Sequence, residues 1–201
     1  MPFKKGENPY HPKPGDYIIV EPIRKKAEIS RIKKLIADVP RDYCLFVFGI
    51  NTAYRAKEIL SIKVGQIRNL EAGDSINLKT KSKRYRRVTL NNSVITSIKQ
   101  LLESKKFHDD DYLFRSQRGG NKAIGVNTLS SKVKTWCMYA GLKGNYGSHT
   151  LRKTWGYWQR MNNTSIPILM KAFGHATQQQ TLAYLGIQDD EIKNLYMQVE
   201  L

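Results

Sequence analysis

From Glu21 onward the apolar positions fall at helical spacing. Ile29, Ile32, Leu35 and Ile36 share one face, while Arg24, Lys25, Lys26, Arg31, Lys33 and Lys34 lie largely on the other. A second helix is expected from Pro40-Arg41-Asp42 through the apolar run Cys44–Ile50 to Ala53, and another turn or two from Arg55 to Leu60. The period then shortens. Val64–Leu70, Ser75–Leu78 and Arg86–Leu90 are brief, partly alternating and separated by turn formers such as Gly73-Asp74, and they predict a small antiparallel meander. Helical spacing returns at Ser93–Glu103, around Thr128–Ala140, at His149–Met161, Ser165–Phe173 and Gln178–Leu185, with a last helix from Asp189. No internal repeat interrupts this order. The expected fold class is mainly α with a small antiparallel β-sheet.

Length and composition narrow the picture. The 201 residues suit one domain with an extended arm, long enough to bury a substantial core. Residues 1–17 carry Pro2, Pro9, Pro12 and Pro14 among lysines with no apolar period, and are expected to form a flexible basic arm ahead of a domain over 18–201. Lys and Arg number 34 against 17 Asp and Glu, a formal net charge of +17, which points to a polyanionic partner more than to a solubility surface. Charge alone would fit a nucleic-acid binder with no chemistry. Cys44 and Cys137 form neither a disulfide framework nor a metal motif, as expected in a reducing compartment. The run Cys44–Ile50 is too short to span a bilayer, and Pro2–Lys5 leads into polar residues instead of a signal sequence. A cytoplasmic, nucleoid-associated protein with no membrane contact is expected.

The C-terminal third holds the candidate chemistry. His149 and Arg152, three apart, share a helix face behind the candidate N-cap Ser148, where the helix dipole favours anions. Leu151, Trp155 and Trp158 are expected to form the buried face opposite. Gly174 ends one helix in the manner of a C′ glycine and sets His175 in the following turn, and Thr177 can cap the short helix that carries Tyr184. Upstream, Arg55 and Glu58 share a face, so that the carboxylate can orient the guanidinium towards phosphate oxygens. Six cations (Lys79, Lys81, Lys83, Arg84, Arg86 and Arg87) crowd nine positions of an expected hairpin. Taken singly, each feature also suits an ordinary surface ion pair, a charged turn or a packing tyrosine.

Taken in order, Arg55, Lys79, His149-x-x-Arg152, Gly174-His175 and Tyr184 resemble the tyrosine recombinases of the phage-integrase family over about residues 20–200. Tyr54-Arg55-Ala56-Lys57-Glu58-Ile59-Leu60 resembles the arginine box, and Lys79-Thr80 before a basic strand resembles the hairpin lysine. His149-Thr150-Leu151-Arg152, with Gly174-His175 and Tyr184 nine residues beyond that histidine, resembles the C-terminal box. Ala53 and Tyr54 stand where the family often has glycine. About twenty residues precede the first helix, so the resemblance is to short, single-domain members without the N-terminal helical clamp.

The resemblance implies site-specific DNA cleavage and rejoining through a 3′-phosphotyrosine, leading to integration, excision or inversion. It implies a catalytic set of Arg55, Lys79, His149, Arg152, His175 and Tyr184, with Glu58 in support. Lys81, Lys83, Arg84, Arg86, Arg87 and Lys153 are the expected DNA contacts, and Lys81 or Lys83 stands open beside Lys79 as the general acid. An unperturbed phenol has a pKa of about 10, so its anion is about one part in a thousand at neutral pH, a shortfall of roughly 4 kcal/mol that neighbouring cations or a base must supply. Because the phosphotyrosine keeps the bond energy, neither cofactor nor metal is expected. The implied partners are double-stranded DNA, further copies of the chain as a tetramer on paired sites, and an accessory DNA-bending protein or partner recombinase. Residues 189–201, with Ile192, Leu195 and Val199 on one face, are expected to dock on a neighbouring protomer. The competing readings are a catalytically silent DNA-binding regulator of the same fold and a type IB topoisomerase.

Overall fold

A computed structural model describes residues 20–79, 85–117, 120–186, 193 and 196–198. Its elements are α1 (Lys26–Leu35), α2 (Pro40–Asn51), α3 (Ala56–Leu60), β1 (Ser75–Lys79), β2 (Tyr85–Thr89), α4 (Asn92–Glu103), α5 (Val126–Tyr139), α6 (Ser148–Met161), α7 (Ile166–Phe173) and α8 (Gln178–Leu185). The basic arm expected over 1–17 lies outside the described residues, as do Lys81, Lys83, Arg84 and the apolar positions Ile192, Leu195 and Val199 of the last expected helix.

Helix α2 is the axis of the core. Pro40 opens it at a position where a missing N–H costs nothing, and Cys44, Leu45, Phe46, Val47 and Phe48 are all buried. A helix apolar all round must be covered on all sides, here by α4, α5 and α6, with edge-to-face rings Phe46–Trp136 and Phe48–Phe114 at 6.0 and 6.2 Å. Gly49 sets the closeness of the α2–α6 crossing, since a Cβ there would lie 2.5 Å from Leu151 Cδ1. A second, smaller cluster gathers Ala53, Leu169, Phe173 and Leu185 between α6, α7 and α8.

Four expectations change. Val64–Leu70 is no strand: Val64–Gln66 is a 3₁₀ turn, closed by the Lys63 N–H donating to Gln66 Oε1 at 2.8 Å. Its buried residues Val64 and Ile67 are three apart, and the two-residue alternation of the segment was incidental. The sheet therefore has two strands, paired antiparallel from Ser75↔Thr89 to Lys79↔Tyr85. Helix α1 begins at Lys26, because residues before it are held extended on α6: the Ile23 N–H donates to Thr154 Oγ1 and Trp158 Nε1 donates to the Ile23 carbonyl. Helix α2 stops at Asn51, leaving Thr52 extended and the Ala53 carbonyl to accept from the Arg152 side chain of α6. Finally, Gly147, not Ser148, occupies the N-cap of α6, and its N–H donates to Thr150 Oγ1 at 3.1 Å. Leu151 is buried as expected, whereas Trp155 and Trp158 are half-buried.

Candidate active site

The site forms where α3, the β-hairpin, α6, α7 and α8 converge. Arg55 stands at the start of α3, and its backbone N–H donates to Glu58 Oε2 at 2.6 Å while its Nη1 lies 3.6 Å from Glu58 Oε1. Its side chain remains 44% exposed, whereas Glu58 beneath it is buried. The carboxylate thus fixes the arginine from behind and leaves its outer face to a ligand. Lys79 ends β1, exposed, on the same cleft of about 1190 Å³ that Arg55, His149 and His175 line.

Arg152 is the opposite kind of arginine. Only 3% exposed, it donates through Nη1 to the Ala53 carbonyl and through Nη2 to the Phe173 carbonyl, both at 2.6 Å. The Phe173 carbonyl is free because α7 ends there, leaving it with no helical donor, and the Ala53 carbonyl belongs to the extended segment that follows α2. The guanidinium also lies over the rings of Phe173 at 4.8 Å and Tyr184 at 5.7 Å. Burial pushes its pKa down to about 9, with Tyr184 acting the other way, so it stays cationic at neutral pH.

Gly174 adopts φ 64°, ψ 40°, the left-handed conformation that terminates α7, and the His175 N–H donates to the Met170 carbonyl at 3.0 Å. His175 then stacks on Phe173 at 5.0 Å, meets the Tyr184 ring edge-on at 5.3 Å, and sets Nδ1 3.0 Å from Thr181 Oγ1. Thr181 Oγ1 also lies 3.4 Å from the Thr177 carbonyl, and with its hydroxyl directed there it accepts a hydrogen bond from Nδ1–H, the tautomer that leaves Nε2 as the basic nitrogen. Burial first, and then Arg152, Arg55 and Arg86, hold His175 down to about 4. His149 opens onto the cleft, yet desolvation by the surrounding protein, followed by Arg152, Arg55 and Lys153, lowers it in the same direction. Both imidazoles are therefore neutral at pH 7. Tyr184 keeps its hydroxyl oxygen out of solvent and its ring 5.3 Å from Lys153 Nζ.

The hairpin cations divide. Arg87 projects outward from β2 and Lys153 is half-buried beside the Tyr184 ring. Arg86 departs from the expected DNA contact: it is 8% exposed, paired with Glu58 through Nη2, donating to the Phe173 carbonyl through Nη1 at 2.9 Å, and lying over the Tyr54 ring at 5.0 Å. It alternates inward on a strand whose neighbours Tyr85 and Arg87 face out. The sequence also left Thr181 and the carbonyls of Ala53 and Phe173 unmarked: the carbonyls act through Arg152, 99 and 21 residues away, and Thr181 through the turn that brings His175 back over α8. Among the described residues, no group of three His, Cys, Asp or Glu side chains is placed to hold a metal ion, and no helix is long and apolar enough to cross a membrane.

The chain is 33% identical over 181 residues to the probable integrase/recombinase YoeC of Bacillus subtilis strain 168, covering 89% of this chain and 96% of that protein. It is 24% identical over 145 residues to the tyrosine recombinase XerH of Campylobacter jejuni, covering 72% of this chain but only 40% of XerH. Among solved structures, XerA recombinase superposes with a TM-score of 0.74 at 21% identity, over 94% of this chain and 66% of that one. XerH bound to a palindromic difH substrate after cleavage superposes with a TM-score of 0.72 at 22% identity, over 91% and 53%. This chain thus spans between half and two thirds of those structures, which at such identities share its fold. The profile of the phage integrase family matches residues 25–191, and with that match the chain belongs to the phage integrase family.

Proposed function

We propose that this chain is a site-specific tyrosine recombinase that cuts and rejoins double-stranded DNA with Tyr184 as nucleophile. The observation that carries the reading is the gathering of Tyr184 from α8, Arg152 from α6 and His175 from the turn between α7 and α8, with the phenol ring 5.3 Å from the imidazole and 5.7 Å from the guanidinium. Neutral His175 takes the phenolic proton at Nε2 as Tyr184 Oη bonds to phosphorus. The phosphorus–O5′ bond breaks, and Lys79 gives its proton to the departing oxygen, leaving a 3′-phosphotyrosine and a 5′-hydroxyl. Arg55 and Arg152 balance the charge on the non-bridging oxygens, a role worth on the order of 3 kcal/mol for each in comparable anion holes. His149 adds a neutral donor at the N-terminus of α6. In the reverse direction a 5′-hydroxyl attacks the phosphotyrosine, Lys79 takes its proton and His175 returns one to Tyr184. Recombination cuts all four strands of two paired duplex sites, one tyrosine to each strand, so the working assembly is a tetramer of this chain or of this chain with a partner recombinase.

The test is recovery of covalent protein–DNA adducts from cells making the wild-type chain or Tyr184→Phe, followed by sequencing of the attached DNA. Adducts at discrete loci that vanish in the variant are expected. Tyr184-dependent adducts scattered without sequence preference would indicate a topoisomerase, and none above the variant's background would indicate a silent DNA-binding regulator.

A further inference from the structure

Arg86 stands on β2 between two solvent-facing residues, Tyr85 and Arg87, yet its own side chain is buried. Burying a charge is costly unless it is paired and hydrogen-bonded, so the contacts it makes in exchange are informative. One is the Glu58 carboxylate, the same group whose Oε2 receives the backbone N–H of Arg55. The other is the Phe173 carbonyl, which also receives Arg152 Nη2 at 2.6 Å. That carbonyl is the last of α7, immediately before the Gly174-His175 turn. Tyr54, the neighbour of Arg55, closes the arrangement: its hydroxyl lies 2.8 Å from the Arg86 carbonyl and 2.7 Å from that of Ile76.

We propose that Arg86 is a positioning residue for strand cleavage: its fork joins the carboxylate that orients Arg55 to the carbonyl that orients Arg152, and so sets the spacing of these two guanidiniums before DNA arrives. The inference rests on the strand-cutting function proposed above. A fork is needed because the two acceptors belong to different elements, α3 and α7, and a lysine ammonium is a point charge with no fixed bidentate geometry. Arg86 itself does not touch the phosphate. Loss of its geometry lets both arginines drift, and misplacement by an ångström from outside the reacting centre can lower a rate by on the order of a hundredfold.

The experiment uses Arg86→Lys on the DNA site recovered from wild-type adducts, with single-turnover strand cleavage measured at saturating protein. Two substrates are compared, one with the natural phosphodiester at the cut and one with a methylphosphonate there, whose missing charge removes most of the demand on Arg55 and Arg152. The expected result is cleavage slower by tenfold to a hundredfold, order of magnitude, on the phosphodiester, a much smaller loss on the methylphosphonate, and DNA affinity close to wild type. Equal losses on both substrates, or full-rate cleavage with weakened DNA affinity, would overturn the proposal, the latter making Arg86 a DNA contact. If Arg86→Lys fails to fold, Arg86→Gln, which keeps an amide donor and leaves Glu58 in place to hold Arg55, should show the same substrate dependence. Absence of cleavage by the wild-type chain on its own recovered DNA would instead overturn the strand-cutting reading.

Discussion

His175 Nδ1 lies 3.0 Å from Thr181 Oγ1, and Thr181 is wholly buried. The hydroxyl is thus the device that selects the imidazole tautomer, with its own proton spent on the Thr177 carbonyl. Thr181→Val keeps the shape and removes the acceptor. We expect cleavage to slow by about tenfold, comparable to the loss of other groups that orient a functional histidine, with a stability loss of about 1 kcal/mol for the missing hydrogen bond. Single-turnover cleavage and chemical denaturation check the two effects. An unchanged rate would mean that the histidine is oriented by its stacking on Phe173 alone.

The pH dependence of stability follows from the same histidine. Its folded pKa, about 4, lies below the usual unfolded value near 6.5, so the unfolded state binds the extra proton first. Stability from this group is fully present above about pH 6.5 and is lost as pH falls towards 4, with His149 contributing in the same direction. The melting temperature of the DNA-free protein should therefore drop between pH 7 and pH 5, and His175→Gln should drop less over that interval. A variant whose drop equals that of the wild type would contradict the assignment.

Gly156 brings α6 against α7 and α8. A Cβ there would lie 2.5 Å from Phe173 Cζ and 2.6 Å from Leu185 Cδ2, neither of which has room to retreat inside the small C-terminal cluster. Alanine in a helix normally gains about 1 kcal/mol over glycine, but overpacking costs about 1–3 kcal/mol and should win. Gly156→Ala is expected to lower stability on denaturant melts. Because the displaced Phe173 bears the carbonyl shared by Arg152 and Arg86, cleavage should fall further than the unfolded fraction explains.

Electrostatics set the DNA affinity. With a formal net charge of +17, binding should weaken steeply and log-linearly with salt. Arg87, exposed on β2, and Lys153, half-buried beside Tyr184, are described cations outside the catalytic set that the family resemblance assigns to phosphate contact. Replacing either with glutamine should weaken binding on all DNA sequences alike and reduce the salt slope by about 1. Fluorescence anisotropy across a salt series measures both quantities, and a flat response would sink the DNA-surface assignment.

The helices and the order of the chemical groups were legible in the sequence, because both are local. Periods of 3.6 place Ile32, Leu101 and Leu151 inward wherever the helices go, and His149 and Arg152 share a face at a spacing of three. The glycine that ends α7 and the threonine that caps α8 are equally local, and both stand as expected, with Thr177 Oγ1 accepting the Gln180 N–H at 3.1 Å. Val64–Leu70 misled because a short apolar alternation serves a 3₁₀ turn as well as a strand, and only packing chose between them.

Tertiary structure alone decided what each cation does. Arg86 and Arg87 are neighbours in one basic run, but strand alternation turns one to solvent and the other onto a carboxylate 28 residues earlier and a carbonyl 87 residues later. Arg55 and Arg152 look equivalent as phosphate-binding candidates, yet one is 44% exposed over Glu58 and the other 3% exposed against the ends of two helices. A charge can be buried only where its partners converge, and that convergence is a property of the fold. The residue types and their local order thus came from the sequence by itself, while the pairing of the arginines, the tautomer of His175 and the closeness of Tyr184 arose only when α3, β2, α6, α7 and α8 packed together.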